Sequence, residues 1–105
     1  MVGRTLYVAP SEIHGRGCFT TDVLRPATRF RIPFYETKYE TFTSVLTEGG
    51  LYELYSPFRF LNHSSDPNCE VYQLDDGSFE LYTLREVAPH EELTIHYGED
   101  WDDPE

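Results

Sequence analysis

The chain is 105 residues long, with 8 basic against 19 acidic side chains and a formal net charge of −11. Such a length supports one domain with one modest core, since a chain this short buries only about two thirds of the surface that its unfolded form exposes. The acidic field repels phosphate backbones, which argues against direct nucleic-acid binding and for a Lys/Arg-rich protein segment as partner, although acidity also serves plain solubility.

The start, Met1-Val2-Gly3-Arg4-Thr5, lacks the apolar core of a secretory signal, and no apolar run approaches the roughly 20 residues that span a bilayer. Cys18 and Cys69 are the only cysteines and form no Cys-x-x-Cys pair. The expectation is a reducing, cytoplasmic or otherwise intracellular setting (a host cell's interior or nucleus included), with no membrane, no disulfide and no metal.

Leu6, Val8, Phe19, Phe30, Ile32 and Phe34 sit in brief runs of near-alternating polarity bounded by turn residues, the pattern of short strands. The segment Tyr35–Tyr55 has mixed periodicity and is interrupted by Gly49-Gly50, leaving room for one short helix on either side. Further on, Glu70–Leu74 and Phe79–Leu84 flank Asp75-Asp76-Gly77-Ser78. Asp-Gly between two alternating runs marks a hairpin, because glycine accepts positive φ. Leu93, Ile95 and Tyr97 alternate as a last strand. Pro26…Phe30-x-Ile32 echoes Pro89…Leu93-x-Ile95, each a turn feeding a strand, over too few residues to argue for a duplicated domain. The elements add up to a mainly β domain of many short strands with little helix.

Chemistry concentrates in Arg59-Phe60-Leu61-Asn62-His63-Ser64-Ser65-Asp66-Pro67-Asn68-Cys69. Asn62 and His63 each offer a donor and an acceptor, so together they can hold a polar ligand from several directions. An isolated Asn-His-Ser reads more simply as an Asx-rich turn that satisfies its own backbone. The eleven-residue string is far more specific.

It resembles the Asn-His-Ser-x-x-Pro-Asn motif of SET-domain methyltransferases. Two more segments match that family in order: Ser11-Glu12-Ile13-His14-Gly15-Arg16-Gly17-Cys18-Phe19 is similar to its Gly-x-Gly segment, and Glu91-Glu92-Leu93-Thr94-Ile95-His96-Tyr97-Gly98 to its Glu-Leu-Thr-x-x-Tyr-Gly segment. A lone Gly-x-Gly is weak evidence; three ordered motifs framing residues 11–98 are strong evidence. The resemblance implies an S-adenosylmethionine-dependent protein-lysine N-methyltransferase acting on a basic tail such as that of a histone. It also implies a fold of several small twisted sheets with a C-terminal pseudoknot, residues 1–105 forming a single SET domain without cysteine-rich zinc segments.

By that resemblance, Gly15, Arg16 and Gly17, together with Asn62 and His63, cradle the cofactor. Gly15 and Gly17 let it approach the backbone, His63 acts largely through its backbone against the adenine, and Asn62 faces the amino-acid end. Arg59 and Phe60 line the same pocket, although Phe60 is equally well explained as core. Tyr97 is the catalytic residue, orienting methyl group and amine, against the alternative of a core tyrosine among eight. Tyr52 and Tyr55 are candidates for the wall of the lysine channel. Ile95, where the family often carries Phe or Tyr, points to multiple methylation. Trp101 covers the adenine or caps the channel, or else seals the core. The short C-terminal end also admits a homodimer whose neighbour completes the site, and an inactive SET module that binds peptide or cofactor without turnover.

Overall fold

The computed structural model describes residues 6–39, 44–47 and 50–97. Among the described residues ten short strands follow in chain order: β1 Leu6–Pro10, β2 Arg16–Thr20, β3 Arg29–Ile32, β4 Phe34–Glu36, β5 Ser44–Thr47, β6 Gly50–Leu54, β7 Asn62–His63, β8 Cys69–Gln73, β9 Phe79–Thr83 and β10 Glu92–Ile95. One turn of 3₁₀ helix, Phe58–Phe60, precedes β7. The strands make three sheets, β1-β2-β10-β7, β3-β9-β8 and β4-β6-β5. Among the described residues no helix is long and apolar enough to cross a membrane.

The Asp-Gly hairpin forms as the sequence predicts. Gly77 takes φ +93°, Leu74 N–H donates to Ser78 O at 2.7 Å, and Asp76 Oδ1 accepts from both the backbone and the hydroxyl of Ser78. The described residues of the stretch that leaves room for a helix form strands β4, β5 and β6 instead. Gly50 has φ +143°, a backbone no α-helix accepts, and Thr47 pairs with Gly50 to start the β5–β6 hairpin. Burial also favours the sheet. Phe34 and Tyr52, on adjacent strands, both meet Phe79 of β9 edge-on, with ring centroids at 4.9 and 5.5 Å.

The echo between the two proline turns is the visible part of a larger repetition. Strands β1, β2 and β3 recur as β8, β9 and β10, each residue displaced by 63 positions and each strand equal in length to its counterpart. Leu6 pairs with Thr20 as Cys69 pairs with Thr83, and Cys18 with Leu93 as Leu81 with Phe30. Even the loops agree. Ser11 N–H donates to Gly15 O as Leu74 does to Ser78 O, and Ala27 N–H to Thr83 O as His90 does to Thr20 O. Ala27 and His90, both just after a proline, share φ near +65°. The third strands are exchanged: β3 pairs with β9 of the other unit, and β10 pairs with β2. Leu24 and Val87, counterparts of each other, form the bridge where the units meet. Sequence alone undersold this repetition, because only Val8/Val71, Thr20/Thr83, Pro26/Pro89 and Ile32/Ile95 are identical across it.

The core draws its side chains from both units and from Leu54, Phe58 and Leu61 between them in sequence. Cys18, Leu24, Ile32, Phe79, Leu81, Val87 and Leu93 are almost completely buried, and each large apolar side chain contributes about 1.5–3 kcal/mol. Seated between β2 and β7, strand β10 carries the segment before Tyr97 past both the Gly-x-Gly loop and the Asn62 segment.

Candidate functional site

The site is built on the parallel pairing of β7 with β10, in which Asn62 faces Thr94 and His63 faces Ile95. Asn68 fastens the motif to β10 with its side chain. Its Nδ2 donates to Glu92 O at 2.9 Å, its Oδ1 accepts from Thr94 N–H at 2.9 Å, and its own N–H reaches Thr94 Oγ1. The amide thus serves β10 as a strand backbone would, and it is buried where water cannot substitute.

Asn62 is buried too, and its Nδ2 lies within 2.8–3.1 Å of four acceptors: Glu92 Oε2, Ser11 Oγ, His14 O and Arg16 O. Two N–H groups shared among four oxygens tie the loop between β1 and β2 to β7 and β10 at one point. Ser11 Oγ donates to the Glu92 carboxylate at 2.8 and 2.9 Å and accepts from Ile13 N–H, so the loop is held from inside as well. The side chain of Asn62 is therefore occupied by the protein's own loop.

The two glycines of the loop have different reasons. Gly15 takes φ +47°, and a Cβ there would meet nothing within 4 Å, so the conformation requires it and the space above stays open. At Gly17 a Cβ would collide with Glu92 Oε2 and lie 2.8 Å from Glu92 Cδ. Glycine at this second position makes room for a carboxylate of the protein itself.

Tyr97 closes the other side. Its hydroxyl donates to Leu61 O at 2.7 Å, and its backbone N–H donates to His63 Nδ1 at 3.0 Å. Acceptance at Nδ1 places the neutral imidazole's proton on Nε2. The His63 ring lies 5.3 Å from the Tyr97 ring and 4.7 Å, edge-on, from His96. Burial, and then the negative charge of Glu92, push the Tyr97 hydroxyl above the ordinary tyrosine range. It is neutral at physiological pH, yet 37 % of the residue remains exposed.

Other predicted residues divide. Arg16 and Arg59 are exposed, and the Arg59 guanidinium lies 5.5 Å from the ring centre of half-buried Phe60. Tyr52 packs in the aromatic cluster with Phe34 and Phe79, whereas Tyr55 is half exposed beside Tyr35, ring centroids 5.2 Å apart. Ile95, with Pro67, Cys69, Val71, Leu84 and His96, lines a cavity of about 210 Å³ between β8 and β10. Trp101 lies outside the described residues. Among the described residues no three His, Cys, Asp or Glu side chains gather as a metal site.

Ser11, Glu92, Asn68 and the Leu61 carbonyl had no assigned role in the sequence reading. Their signal was present in part: Ser11, Glu92 and Asn68 stand inside the three matched motifs, and Glu92 and Asn68 adjoin the buried Leu93 and Cys69.

A SET domain family model matches residues 29–98, about two thirds of the chain. The chain is 43 % identical over 44 residues to a Caenorhabditis briggsae protein named probable histone-lysine N-methyltransferase set-23, a match covering 38 % of this chain and 18 % of that protein. It is 42 % identical over 48 residues to a SET and MYND domain-containing protein of Dictyostelium discoideum, covering 46 % and 13 %. The chain thus spans under a fifth of the curated relatives it matches. A crystal structure of a Plasmodium falciparum protein assigned as a histone methyltransferase superposes with a TM-score of 0.71 at 15 % identity, covering 95 % of this chain and 98 % of that one, which shows a shared fold.

Proposed function

Since the chain belongs to the SET domain family, we propose that it is a protein-lysine N-methyltransferase that takes its methyl group from S-adenosylmethionine and acts on a basic protein segment. The observation that carries this reading is the double fixing of Tyr97, by Leu61 O and by His63, next to a loop that Asn62 holds in place. The residues present fit the cofactor. Open space lies above Gly15, exposed Arg16 and Arg59 suit its carboxylate, and the oxygens of the Leu61 carbonyl and the Tyr97 hydroxyl suit its cationic end.

When bound, S-adenosylmethionine supplies a methyl group activated by a sulfonium. The chain's own residues supply alignment, the main requirement of an in-line displacement. Tyr97 spends its proton on Leu61, so its hydroxyl oxygen is left as an oriented acceptor toward the reacting groups. Held neutral, Tyr97 is no base. The substrate lysine loses its proton to water at a cost of roughly 4–5 kcal/mol at neutral pH, a cost that desolvation beside a cation reduces. The net charge of −11 draws a Lys/Arg-rich segment to the protein.

Isothermal titration with S-adenosylmethionine, followed by a radiolabelled methyl-transfer screen of basic peptides, tests the proposal. Binding with label fixed on lysine is the expected result. A folded sample that binds no cofactor at millimolar concentration overturns it.

A further inference from the structure

The corner formed by Ser11, Gly17, Asn62 and Glu92 has a counterpart in the second unit, and the counterpart is built differently. The residues at 63 positions from Gly17 and Glu92 are Glu80 and Arg29, which meet as an ion pair at 4.0 Å. A long side chain stands at the position of Gly17, which has none, and an arginine stands where Glu92 stands. Strand pairing is the same in both, Phe19 with Glu92 and Tyr82 with Arg29. The fold therefore makes no demand for a glycine facing a carboxylate. What only the first unit has is a loop whose His14 and Arg16 carbonyls converge with Ser11 and Glu92 on one buried amide.

Resting on the methyltransferase reading above, we propose that Glu92 is a positioning residue for cofactor binding: its carboxylate fixes Ser11 and Asn62, and through them the loop from Ser11 to Arg16 against which the cofactor is held. A carboxylate can accept from the Ser11 hydroxyl and the Asn62 amide at once. Glutamine keeps the size but offers one acceptor oxygen, and its NH₂ group meets another donor. Gly17→Ala keeps the charge and displaces it.

The test is titration of the full chain with S-adenosylmethionine for wild type, Glu92→Gln, Gly17→Ala and Ser11→Ala. Asp76→Asn in the β8–β9 hairpin serves as an unaffected control, and thermal unfolding is recorded for each. Both Glu92→Gln and Gly17→Ala are expected to weaken binding about tenfold or more, and Ser11→Ala less in the same direction. KM for the cofactor should rise while kcat at saturation stays within about threefold. In a Glu92→Ala background the effect of Gly17→Ala should shrink to under about threefold, because the two residues act through one contact. A merely structural Glu92 would lower Tm and kcat together and leave KM unmoved, which overturns the proposal, as does wild-type affinity in Glu92→Gln. Should Glu92→Gln not fold, Ser11→Ala and Gly17→Ala decide between the same outcomes. Wild type failing to bind is a different result, because it sinks the methyltransferase reading itself.

Discussion

The hydroxyl of Tyr97 donates to the backbone carbonyl of Leu61, one residue before the motif that holds Tyr97's own N–H through His63. The side chain is thus oriented from both ends by a single segment. Tyr97→Phe removes the oxygen and one hydrogen bond and leaves the ring in place. It is expected to lower kcat about a hundredfold or more, with cofactor affinity changed by less than about threefold. Single-turnover methyl transfer beside cofactor titration checks this, and an active Tyr97→Phe would remove Tyr97 from the chemistry.

Asn68→Ala should be the most damaging substitution outside the apolar core. It strands the buried Thr94 N–H and Glu92 C=O, at about 2–4 kcal/mol in total, a fall of roughly 10–20 °C in Tm. Thermal unfolding checks it. A loss below about 1 kcal/mol would mean that water or another group replaces the amide.

Acid stability should depend on Glu91. Burial works to raise its carboxyl, but hydrogen bonds from Ala88 N–H, the Asn68 amide and Arg85 outweigh this and hold it below the ordinary carboxylate range. A depressed folded value means a contribution fully present above the unfolded titration and lost as pH falls through the folded one. Glu91→Gln should therefore flatten the fall in Tm below about pH 5, which a Tm series across acid pH would reveal.

At the alkaline end the thiols act in the opposite sense. Burial pushes both Cys18 and Cys69 up to about 12, with neighbouring charges as lesser causes. Their folded values exceed the unfolded ones, so this contribution is present below the unfolded thiol value and is lost as pH climbs toward about 12. Native protein at pH 8 should react with a thiol reagent only through opening, so the labelling rate should rise with denaturant. Immediate labelling of both thiols would contradict their burial.

Ala27 holds a left-handed conformation at φ 64° with an exposed side chain, so Ala27→Gly should relieve strain. The gain, after the entropy that glycine adds to the unfolded chain, is about 0.5–1 kcal/mol, or roughly 2–6 °C in Tm. Its counterpart His90 is a poorer test, because its ring also meets the Tyr7 hydroxyl at 2.7 Å.

Local signals carried much of this molecule. The Asp-Gly hairpin, the alternating runs of β1 to β3 and the three motifs were all legible, because turn chemistry and period-two burial act over a few residues. What stayed hidden depends on distant partners. Gly17 reads as a glycine left free for a ligand until Glu92, 75 positions later, is seen to occupy the space. Asn62 offers a ligand-holding amide in sequence, and only the fold shows it committed to the carbonyls of His14 and Arg16. Tyr52 and Tyr55 are both channel candidates in sequence, Tyr55 nearer the motif, yet one joins the aromatic cluster and the other is half exposed.

The exchange of third strands has a consequence for the chain as it leaves the ribosome. Strand β2 waits with an open edge until β10 is made, and until then the Gly-x-Gly loop stands without Glu92. Contacts spanning so much of the sequence close late and slowly. A nascent or prematurely terminated chain lacking residues 92–95 therefore lacks both the inner neighbour of β2 and the anchor of Asn62. Closing the β1-β2-β10-β7 sheet and anchoring the Asn62 amide thus coincide in one event, and a chain stopped before residue 92 has neither.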